Sequence, residues 1–353
     1  KKPDKFDLKL IQKINDTPIP YWFPTDRMPE GDESRRNDKY GITHVHHFYW
    51  KKTLKILSLF ASKVENSKFR TQKQLYTIIT GGMLGITKLQ RFRPKTTFPN
   101  MILSGTLYIG SLQREWNAIN WLIGKKKGIL KSIKSLNNQN TPISETNSMS
   151  NSTLNNVAID YIFTDPPFGA NLMYSELNFL WESWLKVKTN NSTEAIINKV
   201  QGKGLLEYQE LMTQCFKEYY RVLKPGRWMT VEFSNSKASI WNAIQEAISK
   251  SGFVIANVAA LDKQQGSFKA VTTTTAVKQD LVISAYKPTD EMINQIKGKD
   301  ESEESVWTFI KGHLEKLPVF IGKKGAAEFI IERTPRILFD RMISYYVQNG
   351  INV

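Results

Sequence analysis

Ile159-Asp160-Tyr161-Ile162-Phe163-Thr164-Asp165-Pro166-Pro167-Phe168 decides the reading of this chain. The first six residues are a β-type run and the last four stop it at once. Proline has no N–H and a fixed φ, so two in succession end a strand and hold a rigid, extended corner. A carboxylate, Asp165, stands just before the prolines and a flat aromatic face, Phe168, just after them. Those parts suit gripping the amino group of a planar base while stacking on its ring. A plain turn after a strand is the alternative that the tetrapeptide by itself leaves open.

Outward from the corner, residues 157–164 read as a buried strand. Leu177, Leu180, Trp181 and Trp184 recur at helical spacing across 176–185. A long helix is predicted over 205–223, stopped by Leu223-Lys224-Pro225-Gly226. A strand over 228–233, a helix over 240–249 closed by Ser251-Gly252, and strands over 253–260 and 281–286 joined by 262–279 complete the region. Strand, helix, strand, helix and a strand pair define an open α/β sheet, mainly parallel, with a terminal antiparallel hairpin. In such sheets the site lies beyond the carboxyl ends of the strands. Asp165 falls there, as do Glu232 and the Ser234-Asn235-Ser236 turn.

Thr164-Asp165-Pro166-Pro167-Phe168-Gly169 resembles the catalytic motif of amino-group DNA methyltransferases, which use S-adenosylmethionine. Arg221-Val222-Leu223-Lys224-Pro225-Gly226-Arg227 followed by a strand resembles the helix–turn–strand of Rossmann-like methyltransferases, and 253–260 with 280–286 resembles their closing hairpin. The resemblance covers 157–288, a little over a third of the chain. It implies a Rossmann-like methyltransferase sheet, partly incomplete, with a mixed helical and loop insertion region. Asp165, Pro166, Pro167 and Phe168 are then catalytic; Thr164, Asp165 and Glu232 lie by the cofactor; Phe168, Asn171 and Tyr174 line the base pocket. The base must be flipped out of a duplex to be reached. Asp at the first motif position resembles the adenine-N6 enzymes more than the cytosine-N4 ones.

The remainder of the 353 residues is less patterned. A net charge of +16 favours a polyanion partner, which the resemblance implies is DNA first and RNA second. Arg35, Arg36, Arg91 and Arg93, in loops beside aromatics, and Lys263 and Lys269 are candidates for phosphate contact, against simple solvation. Cys215 is the one cysteine, which excludes an internal disulfide and a cysteine zinc site and suits a reducing cytoplasm. No apolar run is long enough to span a bilayer. His44-Val45-His46-His47 has no companion Cys or patterned carboxylates, so packing or phosphate contact is preferred to a metal.

Residues 1–50 read as irregular, with 32–39 an exposed polar loop. Helices are predicted from Tyr49, over 72–84, and after Trp116 with Lys125-Lys126-Lys127 toward its C-terminal end. A short strand is predicted at 105–110, a charged linker at 297–305, and helices at 306–314 and 336–348. The segments are 1–133 (target recognition), 134–156 (a polar insertion), 157–288 (catalytic) and 289–353 (linker and helices).

One part of the resemblance is not legible. A glycine-rich cofactor turn after a first strand has only Gly81-Gly82-Met83-Leu84-Gly85 and Ile109-Gly110-Ser111-Leu112 as weak candidates. The cofactor half then belongs to a missing segment, to another chain, or to a divergent motif. Two rivals to a DNA methyltransferase follow: an enzyme with the same corner acting on RNA, and a nucleic-acid-binding pseudoenzyme.

Overall fold

The computed structural model describes residues 2–94, 102–135, 148–261, 280–297, 302–319 and 330–351. The chain forms two compact units, Lys1–Ser144 with Met173–Asn191 and Glu145–Leu172 with Ser192–Val353.

The first unit is helical. α1 (Lys5–Asp16) replaces part of the irregular stretch predicted for 1–50; Asp4 caps it, and Asp7 returns a bond to the Asp4 N–H. α2 (Lys51–Glu65) buries Leu54, Leu57, Ala61 and Val64, one stripe at helical spacing. α3 (Phe69–Gly82) runs into a 3-10 turn at Met83–Ile86. α4 (Ala118–Ser135) continues past Lys125-Lys126-Lys127, so those lysines sit mid-helix rather than at its end. α5 (Tyr174–Leu185) buries Leu180 and Trp184 in this unit's core.

Two loops of the first unit differ from their sequence reading. The 32–39 loop is not simply exposed, because Ser34 and Asn37 are buried. The Glu176 carboxylate accepts the N–H groups of Glu33 and Ser34 and the Ser34 hydroxyl, at 2.8–3.0 Å. Residues 105–110 form no strand. Side chains take both backbone polar groups of Leu107: its N–H donates to Glu33 and its carbonyl accepts from Asn37.

The second unit holds the sheet, ordered β1 (Ile159–Thr164), β2 (Leu223–Phe233), β4 (Asp280–Tyr286), β3 (Val254–Leu261). β1 and β2 are parallel and β4 is antiparallel to both its neighbours, so three strands share a direction and β4 alone is reversed. α6 (Leu205–Val222) and α7 (Ala238–Lys250) cover one face, packing Tyr208, Met212, Phe216, Ile244 and Ile248 against Met229, Val231, Phe233 and Ile283. β2 begins earlier than predicted. Leu223 already pairs with Ile159, and the Lys224-Pro225-Gly226 turn, with Gly226 at φ +73°, lies within the strand.

On the opposite face lie α8 (Asp290–Lys297), which the sequence reading missed, α9 (Glu303–Lys316) and α10 (Pro335–Asn349). Their Phe309, Met342 and Tyr346 pack on Val254, Ala256 and Tyr286. β1 is not the buried strand its sequence suggests: Ile162 joins the core, while Tyr161 and Phe163 are 54% and 60% exposed. Residues 136–147 of the polar insertion and the 262–279 connection lie outside the described residues.

Candidate active site at the Asp-Pro-Pro-Phe corner

β1 ends with Thr164 beside Val231 of β2, and the Thr164 hydroxyl lies 3.1 Å from the Tyr219 hydroxyl of α6. Burial pushes the Tyr219 phenol up, which keeps it protonated. Residues 165–168 then run without regular structure, with Asp165 exposed and Pro166 buried.

Three successive carbonyls past the prolines are held by three different elements. The Tyr208 hydroxyl of α6 donates to Pro167 at 2.6 Å. The Asn235 side-chain amide, after β2, donates to Phe168 at 2.9 Å. The Ile197 N–H donates to Gly169 at 3.3 Å. No donor among the described residues reaches the Pro166 carbonyl. Phe168 meets Phe233 edge to face at 5.1 Å, and Phe233 meets Trp241 the same way at 5.1 Å. The Trp241 indole N–H closes the column on the Asn235 carbonyl at 3.0 Å. Gly169 turns the chain away at φ +69°, and a Cβ there would stand 2.9 Å from Ile240 Cδ1.

The corner therefore sets an exposed Asp165 next to a buried Pro166, with Phe168 braced on Phe233. Sequence reasoning missed Ile197, Tyr208 and Tyr219 and flagged Asn235 only as part of a turn. A tyrosine on the apolar stripe of α6 is the one signal available, because a buried phenol needs a partner.

The other nominated residues are dispersed. Glu232 is half-buried on β2 and pairs with Val282. Asn171 is exposed near the end of the second unit's first segment, whereas Tyr174 opens α5 in the first unit. Arg35 pairs with Glu30 and Asp38, and Arg36 with Glu33. Arg91 bridges to Gln113, and Arg93 is exposed two residues on. Lys263 and Lys269 lie outside the described residues. His44, His46 and His47 cluster around a 3-10 turn rather than alternating along a strand, and burial, followed by the charges of His47 and His44, holds His46 at about 4. Among the described residues no three His, Cys, Asp or Glu side chains are arranged to hold a metal ion.

Of the glycines nominated for a cofactor turn, Gly81 and Gly82 sit in α3, Gly85 in the turn after it, and Gly110 beside Arg91. All belong to the first unit and none follows a strand of the sheet. The described residues do not assemble a glycine-rich turn for the methyl donor.

Fold and corner together define an α/β protein with a methyltransferase-type sheet. A family profile described as DNA methylase matches residues 159–344, more than half of the chain. The chain belongs to that family, whose methyl donor is S-adenosylmethionine. Among solved structures it is similar to a protein of Thermus thermophilus assigned as a DNA modification methylase, with 12% identity over 45% of this chain and 58% of that one, at a TM-score of 0.23. It is also similar to an S-adenosylmethionine-dependent methyltransferase of Methanosarcina mazei, with 11% identity over 46% of this chain and 77% of that one, at a TM-score of 0.26. A geranyl diphosphate C-methyltransferase of Streptomyces coelicolor aligns over 80% of this chain and 99% of that one, with 9% identity and a TM-score of 0.24. The chain thus spans under two thirds of the first of these proteins. Among curated proteins none matches.

Proposed function

We propose that this chain grips a flipped base at the Asp165–Phe168 corner and methylates its exocyclic amino group, adenine N6, in DNA. The observation that carries the proposal is the pinning of the Pro167, Phe168 and Gly169 carbonyls by Tyr208, Asn235 and Ile197, which fixes the backbone that follows the exposed Asp165. An exocyclic amino nitrogen is a poor nucleophile because its lone pair is delocalised into the ring. Two acceptors, one for each N–H, hold that nitrogen and favour a pyramidal geometry that frees the lone pair. Phe168, braced by Phe233, stacks on the base, a contact worth about 1–3 kcal/mol. S-adenosylmethionine supplies an activated methyl group, so orientation is the larger part of what this chain contributes. The amino proton leaves after transfer, by way of the Asp165 carboxylate to solvent, and no strong base is required.

No described helix is long and apolar enough to cross a membrane. A cytoplasmic setting and phosphate contacts by Arg35, Arg36, Arg91 and Arg93 belong to the same proposal; for Arg35 and Arg36 such a contact exchanges their carboxylate partners. The test is transfer of labelled methyl from S-adenosylmethionine to adenine-containing duplex DNA. Asp165→Ala should lower transfer at least about 100-fold, within the range that positioned groups contribute. Retained transfer in that variant would remove the corner from the reaction. Label moving to tRNA and not to DNA would replace the substrate, and DNA binding without any transfer would leave a binding protein.

A further inference from the structure

α4 carries two apolar faces, and the first unit uses one of them. Ala118 and Leu122 are buried, and Trp121 and Ile129 are half-buried on the same side of the helix. The Trp121 indole N–H ties that side to α3 through the Gly82 carbonyl at 2.8 Å. The other face is open. Ile119, Ile123, Leu130 and Ile133 are each between 44% and 54% exposed. With Lys126 they recur in steps of four, three, four and three residues, the 3.5-residue period of a seam that meets a second helix. Past Leu122 no described side chain of α4 is fully buried, yet the helix runs on to Ser135. Gly124 and Gly128 each weaken a free helix relative to alanine, so these outer turns gain from a neighbour.

The width and the charge of the stripe say what it meets. A helix lying in a bilayer surface needs a broad apolar face, whereas a narrow seam of this period fits a single helix. Lys127, Lys131 and Lys134 run along one side of the stripe, and Lys126 stands within it. None of these four lysines has an ion-pair partner among the described residues. DNA would suit the lysines but leaves the isoleucines and Leu130 without a role. A second copy is disfavoured, because the stripe is symmetric about Lys126. Two copies paired in register, parallel or antiparallel, would set Lys126 against Lys126, and like charges repel strongly once water is excluded. A helix with carboxylates on its flank meets both the apolar and the charged features at once.

The geometry points to the outer face of α4 as a docking seam for one amphipathic helix of an acidic partner protein. Its apolar residues pack on Ile119, Ile123, Leu130 and Ile133, one carboxylate faces Lys126, and others line the Lys127–Lys134 side. The probe is a labelled synthetic peptide of about three heptads, titrated with the full chain and followed by fluorescence anisotropy. Three versions share leucine at the seam and carry Glu, Gln or Lys on the flanks and opposite Lys126. Saturable binding of the Glu peptide is expected, at least tenfold tighter than that of the Gln peptide, with the Lys peptide weakest. Ile123→Ser combined with Leu130→Ser should weaken the Glu peptide at least tenfold, and Lys126→Gln should shrink its advantage over the Gln peptide at least threefold. Circular dichroism confirms that the variants fold, as substitutions at exposed positions should. No saturable binding of the Glu peptide, equal binding of all three peptides, or affinity unchanged in both variants overturns the inference. So does a dimer of the full chain, seen by sedimentation, that the double serine variant dissolves. Loss of duplex-DNA or anionic-vesicle binding in that variant, which keeps every lysine, overturns it too. The seam does not draw on the Asp165 corner, so methyl transfer can fail while peptide binding holds.

Discussion

At Gly169 the backbone takes φ +69° with Ile240 Cδ1 2.9 Å from where a Cβ would stand. Gly169→Ala therefore meets both a strained conformation and a steric conflict. It should destabilise the second unit by about 1–3 kcal/mol, read by urea unfolding. Tyr208→Phe keeps the ring and removes the hydroxyl from the Pro167 carbonyl. The expected loss of stability is about 1 kcal/mol. Because Tyr208 positions the corner rather than touching the base, kcat should fall with little change in KM. The corner itself was legible because proline chemistry and chain order are local. Its supports were not: Tyr208 and Asn235 act 41 and 67 residues away, and no periodicity marks such a contact.

Among the elements, the 32–39 loop depends on α5. Glu176→Ala would strand the Glu33 and Ser34 N–H groups and the Ser34 hydroxyl, costing the first unit about 3 kcal/mol. Glu176→Gln, which keeps one acceptor, should cost less; thermal unfolding of the two variants separates them. In α9, His313 is fully buried, 3.0 Å from the Tyr286 hydroxyl and stacked on Phe309. Burial, then the Arg341 charge, holds it at about 4 against an ordinary 6.5. The unfolded chain thus binds a proton below pH 6.5 that the folded chain refuses. The stabilisation is complete above 6.5 and is lost progressively down to about 4, by at most about 3 kcal/mol. His313→Leu should flatten that acid decline in urea titrations between pH 7 and 4. Helices with an apolar stripe were readable in the sequence. α1 and α8 were missed although each carries apolar residues at helical spacing, Leu10, Ile11 and Ile14 in one and Met292, Ile293 and Ile296 in the other, and 105–110 looked like a strand because the side chains that claim Leu107 come from residues 33 and 37.

Across the whole molecule, the chain is divided between two units, and α5 belongs to the first although it follows the corner directly. Calorimetry should accordingly resolve two transitions, one lowered by Glu176→Ala and the other by Gly169→Ala. A single transition shifted equally by both would show that the units unfold as one. The α/β class and the closing antiparallel pair followed from the run of predicted strands and helices. The allocation of α5 did not, because an amphipathic stripe says that a helix is half-buried and not against what.

The distance from the Pro-Pro corner to its supports sets a clock on synthesis. Asn235 follows Phe168 by 67 residues, and β2, the neighbour of β1, is only just complete when Asn235 is added. At about 5–20 residues per second, the ribosome takes about 3–13 s to make that stretch. For those seconds the nascent chain carries Asp165 and Phe168 in sequence without the Asn235 amide that holds the Phe168 carbonyl. A chain released before Asn235 would keep the whole motif and lack one of its three supports.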